Sequence, residues 1–401
     1  MPEDTLEPEN TENNSSQNQS ENETAPPTKD RYWLHLLLFI ITLIATTLSG
    51  AEWIYGRSFI YGKELLDWKH FWQGMYFSVP FLGILTAHEF GHYFTARYYN
   101  IKASLPYYIP VWLGFLPSIS IGTMGAFIQI RERLRSTKEI FDVGIAGPLA
   151  GFVVAIGLLW YGFTHLPTID YIYQIHPEYK QWGEKYADYA YKDIPEGGAI
   201  GLGTNLIFEF FKNFVVEDPK LIPHPNEMAH YPFLFAGYLA LFFTALNLIP
   251  IGQLDGGHIL YGLIGSKRHK TTSLILFILF VFYAGIGTFK LEEITSETIL
   301  YVLPYAGFLY LMFHKTFENK LTAVVIALSI FVGQMLFCAI FPTVNGYSGW
   351  LLFAFVLGNF LGIFHPPVAQ EHTLDLKRQI LGWVSLIIFL LCFSPEPFVI
   401  K

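Results

Sequence analysis

The chain has 401 residues, length enough for two or three soluble domains, yet 52% are hydrophobic, 17% aromatic and only 14% charged, with a mean hydropathy of +0.36. A soluble globule is about a quarter charged because its surface must face water, so this composition excludes one and implies helices threaded repeatedly through a bilayer. The net charge of −8 argues against a nucleic-acid partner, and the two cysteines, Cys338 and Cys392, both in apolar stretches, exclude a disulfide framework or a Cys-rich metal site.

Residues 1–30, rich in Glu, Asn, Ser, Thr and Pro without apolar periodicity, read as a disordered acidic cytoplasmic tail. They do not read as a signal peptide, because the leading region is acidic and too long and no small-residue cleavage pattern follows. Trp33–Gly50 is the first expected span, and residues 31–70 comprise it and an outer loop. Further spans are expected at Phe71–Ala96, Asp142–Phe163, Tyr231–Leu254, Thr271–Phe289, Glu297–Phe313, Leu321–Ile340, Tyr347–Phe364 and Gln379–Ser394. The fold class is therefore an all-α polytopic membrane protein of about nine transmembrane helices. Basic residues cluster at Arg97–Lys102, Arg131–Lys138, Lys267–Lys270 and Lys377–Arg378, next to span ends, which puts those connections and the N-terminus inside and the C-terminus outside.

Two connections are unusual. Residues 103–131 are apolar, but Pro106, Pro110, Pro117, Gly114, Gly122 and Gly125 oppose one continuous helix, and the flanking charges lie on one side. This piece is expected to enter the membrane and return, with a short hairpin in its second half, Ser118–Arg131, its backbone covered by protein or lining a cavity. Residues 164–230 form an outer loop of mixed polarity in which Leu202–Val215 is amphipathic and no ligand-binding signature stands out. The expected organisation is a core over 71–266 and additional C-terminal helices over 267–401.

The second span ends in His88-Glu89-Phe90-Gly91-His92, an H-E-x-x-H pattern. At a spacing of four the two imidazoles project from one helical face with Glu89 beside them, which suits a borderline cation such as Zn(II) with a carboxylate to take a proton from water. These residues lie roughly 7 to 13 Å from the helix end at Arg97, a depth at which ionisable groups need ligation, pairing or water. The fourth span supplies the matching group. Asp255 stands in a stretch, 228–266, that carries no other formal charge, and both spans run from outside to inside. His88, His92 and Asp255 thus reach the same cytoplasmic leaflet, two histidines and one carboxylate with room for a fourth ligand, as in catalytic zinc sites. One zinc per chain is expected.

Pro250 and the Gly256-Gly257 pair are expected to break or kink the helix and let Asp255 reach across. Asn247 either donates to an oxyanion or substrate backbone or makes an interhelical hydrogen bond. His258 is read as a neighbour of the site and not a ligand, His365-Pro366-Pro367 as a structural turn, and Gly91 as a packing residue. Gly144, Gly147 and Gly151 with Ala146 and Ala150 give the third span a small-residue face able to hold the second and fourth in register. No nucleotide-binding pattern and no G-x-S-x-G is present. The alternative to an enzyme is a non-proteolytic metal-binding scaffold or an ion or metal transporter, although the halves do not mirror each other as inverted repeats would.

The chain resembles the membrane-embedded zinc metalloproteases of the site-2 protease type, the M50 peptidases. The likeness runs through His88-Glu89-Phe90-Gly91-His92, Gly122-Thr123-Met124-Gly125-Ala126-Phe127, Phe141-Asp142-Val143-Gly144-Ile145-Ala146-Gly147-Pro148, Asn247-Leu248-Ile249-Pro250 and Leu254-Asp255-Gly256. The spacing is most similar to the bacterial branch with plastid relatives. The resemblance implies His88, His92 and Asp255 as zinc ligands, Glu89 as the catalytic glutamate, Asn247 as a substrate or transition-state helper, and a re-entrant hairpin that pairs with an unwound substrate. It implies a transmembrane protein substrate, cut within or near its membrane segment, in a bacterial inner membrane or, in a plant or alga, a plastid membrane. The outer loop is too short for the PDZ domain that many members carry.

Overall fold

The computed structural model describes residues 31–114, 120–192, 200–290 and 299–400; the expected tail over 1–30 lies outside them. Helix α1 (Tyr32–Tyr55) stops where Gly56 turns left-handed at φ 61°. Helix α2 (Trp68–Tyr98) begins at Asp67, whose carboxylate accepts from the amides of Lys69 at 2.9 Å and His70 at 3.1 Å. Strands β1 (Tyr107–Val111) and β2 (Gly122–Phe127) pair antiparallel, Tyr107 opposite Phe127 and Val111 opposite Gly122, with an irregularity between Tyr108 and Pro110. A hairpin is thus present, but not within the second half alone: Gly122–Phe127 is one strand, and its partner is the Pro-bearing piece before it. Pro110 lacks an N–H, which reads in sequence as a breaker, yet it is tolerated where the ladder bulges.

Helix α3 (Thr137–Thr164) carries a capping box in which Ser136 Oγ accepts from Glu139 N at 3.2 Å while Glu139 accepts from the Ser136 amide at 3.3 Å. Residues 164–230, the expected outer loop and called the outer segment below, follow as α4 (Asp170–Ile175), two short 3₁₀ turns, α5 (Tyr186–Ala190), β3 (Ile200–Leu202), α6 (Leu206–Phe214) and 3₁₀ turns at Pro219–Leu221 and Pro225–His230. Helix α6 buries Phe208 and Phe211 and exposes Leu206, Phe210 and Phe214, the amphipathic pattern expected there. Then come α7 (Pro232–Leu248), α8 (Asp255–Gly285), α9 (Ile299–Phe313), α10 (Lys320–Ile340), α11 (Gly349–Val356) prolonged by a wide turn to Leu361, α12 (Leu376–Cys392) and β4 (Phe398–Ile400). Helix α8 is broken at Gly265, with φ 77° and ψ 167°, so its two halves are separate rods.

Among the described residues α1, α3 and α10 are long and apolar enough to cross a membrane, and α7, α9 and 349–361 are shorter apolar helices. Their outward faces are apolar too: Leu36, Ile40 and Ile44 on α1 and Leu328, Val332 and Leu336 on α10 are exposed, which suits lipid and not water. The chain is mostly helical and built as an integral membrane protein.

The contacts at the helix ends sort into two faces. On one, Arg378 at the start of α12 holds Asp142 at the start of α3 with a two-pronged contact of 2.7 and 2.8 Å, and Ser136 bridges Gln370. On the other, β4 pairs antiparallel with β3 of the outer segment, and Trp350 Nε1 donates to Pro395 O at 2.7 Å. One buried core gathers α2, α3, α7 and the outer segment around Phe77, Phe81, Leu159, Phe208 and Phe235, and a second gathers α8 to α11 around Phe277, Leu309 and Phe313. Helix α3 packs against α2, α7 and α8 and so sets the distance between the elements that carry the ionisable residues.

Candidate active site

The H-E-x-x-H residues lie in the last turns of α2, where the chain is continuously helical and all three ionisable side chains are buried. His92 Nδ1 lies 2.7 Å from the carbonyl oxygen of Val143 in α3, an acceptor only, so Nδ1 carries the proton and Nε2 presents its lone pair. Three residues before His92, Glu89 lines the same cavity as Ile128, just beyond β2. Thr86 and Tyr108 join by their hydroxyls at 2.7 Å, a second link from α2 to the hairpin.

Asp255 does not sit inside the helix that carries Asn247. Helix α7 ends at Leu248, residues 249–254 form an irregular turn with Gly252 at φ 63°, and Asp255 is the first residue of α8. The expected break therefore falls before Asp255, at Pro250 and Gly252, while Gly256 and Gly257 serve close approach: a Cβ on Gly256 would lie 2.0 Å from the Leu248 carbonyl oxygen. Asp255 Oδ2 stands 3.3 Å from His92 Nε2 and 3.5 Å from His88 Nε2, and the two Nε2 atoms are 3.1 Å apart. Three donor atoms on two elements thus converge within 4.8 Å of one another.

The small-residue face of α3 forms the back of this cluster. A Cβ on Gly147 would fall 2.1 Å from His92 Nε2, one on Gly151 3.2 Å from His88 Cβ, and one on Gly144 2.7 Å from His258 Cβ. Gly91 likewise lets α2 approach α3, since a Cβ there would lie 2.5 Å from the Ala146 carbonyl oxygen. The glycines thus do more than bring helices together: they leave the space that the imidazoles occupy.

A cavity of about 300 Å³ opens on the cluster, lined by His88, Glu89, His92, Asn247, Gln253, Asp255 and His258 with Ala126, Phe127 and Ile128 of the hairpin side. The buried carboxylate of Glu89 and the partly buried one of Asp255 meet here without a Lys or Arg among the described lining residues. Such an arrangement needs a cation, and the donors suit zinc: Zn–N bonds of about 2.0 Å imply tetrahedral edges of about 3.3 Å, close to the separations above. Glu89 Oε1, 4.0 Å from His88 Nε2, borders the cluster without completing it. Asn247 Nδ2 lies 3.3 Å from His88 Nε2, at the wall of the same cavity.

His258 lines the cavity, and His365, read in sequence as part of a turn, contacts His258 from behind: His365 Nε2 is 2.9 Å from His258 Nδ1, and its ring packs on Tyr261 at 4.3 Å. Only its neighbouring prolines marked that residue in the sequence, and a His-Pro-Pro run says nothing of what the ring touches.

Residues 76–286 match the family described as Peptidase family M50. Among curated proteins, the chain is 28% identical over 198 residues to the probable zinc metalloprotease EGY1, chloroplastic, of Arabidopsis thaliana, covering 49% of this chain and 31% of that protein. It is also 28% identical over 195 residues to the probable zinc metalloprotease EGY2, chloroplastic, of Oryza sativa subsp. indica, covering 49% and 30%. The matched region thus spans about a third of these relatives' length. No solved structure matches.

Proposed function

The chain belongs to peptidase family M50, and from that premise we propose that it is an intramembrane zinc metalloendopeptidase that hydrolyses a peptide bond within or near a transmembrane segment of a protein substrate. The observation that carries the proposal is the convergence of His88, His92 and Asp255 from α2 and α8, with Glu89 beside them and the fourth side open to a lined cavity. His88, His92 and Asp255 are the proposed ligands of one zinc. When bound, zinc supplies a Lewis acid that polarises a carbonyl and makes water acidic.

The residues of the chain do the rest. The Glu89 carboxylate takes the proton of the attacking water and returns it to the nitrogen of the leaving amine. The Asn247 amide, at the cavity wall, donates to the substrate backbone or the developing oxyanion. Val143 O fixes the His92 tautomer, and the α3 glycines fix ring positions. A substrate helix must unwind first, because its carbonyls are already hydrogen-bonded. β2 is an outer strand of a two-stranded sheet, with Met124 and Phe127 exposed, so its free edge can hold the extended segment by strand addition.

The proposed topology has nine spans, the N-terminus and the zinc near the cytoplasmic side, and residues 164–230 and the C-terminus outside. The pairing of β3 with β4 supports the last point, since it requires the outer segment and the C-terminal strand on one face. Residues 103–131 form the re-entrant piece, 71–266 the protease core, and 267–401 an added helical unit, in a bacterial inner membrane or, in a plant or alga, a plastid membrane. The scaffold or transporter alternative is not favoured, because it leaves Glu89 beside three ligand atoms without a task. The purified chain in liposomes should cleave a co-reconstituted transmembrane reporter, lose that activity to a chelator and regain it with zinc; no cleavage of any such reporter under zinc would refute the reading.

A further inference from the structure

The outer segment brings together three residues in which the sequence offers no motif, for His176 and Glu227 are separated by fifty positions. His230 precedes α7 and Asn247 lies near its end, so this cluster and the proposed active site are roughly 22 Å apart along that helix.

The protonation pattern can be read from acceptors alone. His230 Nδ1 lies 2.8 Å from the carbonyl oxygen of Ile54, the last turn of α1, and must donate to it. His176 Nδ1 lies 3.1 Å from a carboxylate oxygen of Glu178 and donates likewise. Each ring therefore turns an Nε2 lone pair inward, and the two Nε2 atoms are 3.3 Å apart. Glu227 is 2% exposed. Its Oε1 accepts from the hydroxyls of Tyr179, at 3.0 Å, and Tyr191, whereas Oε2 has no hydrogen-bond partner. That oxygen stands 3.2 Å from His230 Nε2 and 3.7 Å from His176 Nε2. Three lone-pair atoms thus face one another at separations close to the edge of a zinc tetrahedron, about 3.3 Å, and each carries an outer hydrogen bond of the kind that orients metal ligands.

We propose that His176, Glu227 and His230 form a second Zn(II) site with a structural role, clamping the outer segment onto the ends of α1 and α7. Among the described residues the site has no spare carboxylate to act as a base: Glu178 is engaged by His176 Nδ1, and Glu227 is itself a ligand. The side chain of His176, 27% exposed, leaves a path for the ion and a water as fourth ligand. His176 follows α4, and Glu227 and His230 lie in the 3₁₀ turn before α7, so a bound ion would join two chain segments at one point, and the His230 contact with Ile54 O ties that point to the end of α1. The chain would then hold two zinc ions, one beyond the single ion expected from the sequence.

The inference stands apart from the active-site reading, and its test keeps them apart. Full-length protein purified in detergent is stripped with chelator, returned to buffered zinc and analysed for metal. His176→Ala, at the most exposed ligand, should hold one equivalent less than its parent, both in the wild type and in a His88→Ala, His92→Ala background. In that background zinc should also slow protease cutting within residues 170–191, and His176→Ala should abolish the effect. If the doubly substituted background does not fold, the wild-type comparison alone decides. Equal zinc content in His176→Ala and its parent would overturn the proposal and leave a hydrogen-bonded histidine pair without a metal.

Discussion

Gly147→Ala tests the claim that the glycines of α3 make room for the ligands. A Cβ at this position would sit 2.1 Å from His92 Nε2, 2.4 Å from Cδ2 and 2.5 Å from Cε1, against a normal contact of about 3.5 Å. The ring or the helix must therefore move by roughly 1 Å. The ring has little freedom, since Val143 O holds its other nitrogen at 2.7 Å and belongs to the same helix as Gly147. Overpacking of this kind costs about 1–3 kcal/mol, and a misplacement of about 1 Å at a reacting centre can cost about 10²-fold in rate. Zinc affinity by chelator competition and cleavage of a membrane-embedded reporter should both fall, the latter by about two orders of magnitude. Gly157→Ala is the matched control, because a Cβ there meets nothing within 4 Å on the same helix, and it should leave both unchanged. Wild-type zinc affinity and cleavage in Gly147→Ala would show that α3 is merely adjacent to the site.

Asp255→Asn replaces an anionic ligand by a neutral one and should deplete zinc at the α2–α8 cluster as well as abolish cleavage, measured by metal analysis of the folded protein. His365→Phe keeps a ring against Tyr261 but loses the 2.9 Å contact to His258; cleavage should slow by about two- to tenfold, the worth of one net hydrogen bond, with zinc content intact. For topology, Lys180→Cys and Ser15→Cys in a Cys338→Ser, Cys392→Ser background should give opposite labelling by an impermeant thiol reagent in intact cells. Position 180 should react and position 15 should be protected; the reverse would invert the proposed orientation.

What the sequence made legible follows from the scale of the signal. Apolar runs bounded by charge located the helices: 320–340 was expected from Leu321, 376–392 from Gln379, and the amphipathic α6 falls within Leu202–Val215. The H-E-x-x-H spacing is local, so a regular α2 suffices to bring His88 and His92 together, and the charge bias predicts the approach of Asp255 that is seen at 3.3 and 3.5 Å. The break at residues 249–254 was less legible, because Pro250 and the Gly256-Gly257 pair mark a disturbance without locating it. Only the packing of Gly256 on Leu248 O places Asp255 at the head of a new helix. Pairing of Tyr107–Val111 with Gly122–Phe127 escaped the sequence because two prolines mask the first strand. His365 and the His176–Glu227–His230 cluster escaped because their contacts span about a hundred and about fifty positions, beyond any periodic pattern.

Glu89 neighbours the proposed ligands but is not needed to complete them. Glu89→Gln preserves shape and removes the group that takes the water's proton and protonates the leaving amine. General acid-base assistance is typically worth about 10²- to 10⁴-fold, and one carboxylate serving both transfers predicts a loss at or beyond the upper end. The decisive measurement is cleavage of a transmembrane reporter by purified Glu89→Gln with its zinc content assayed in the same sample. Zinc at the wild-type level with cleavage reduced by about 10⁴-fold is the predicted result; cleavage near the wild-type rate with zinc bound would contradict the protease mechanism.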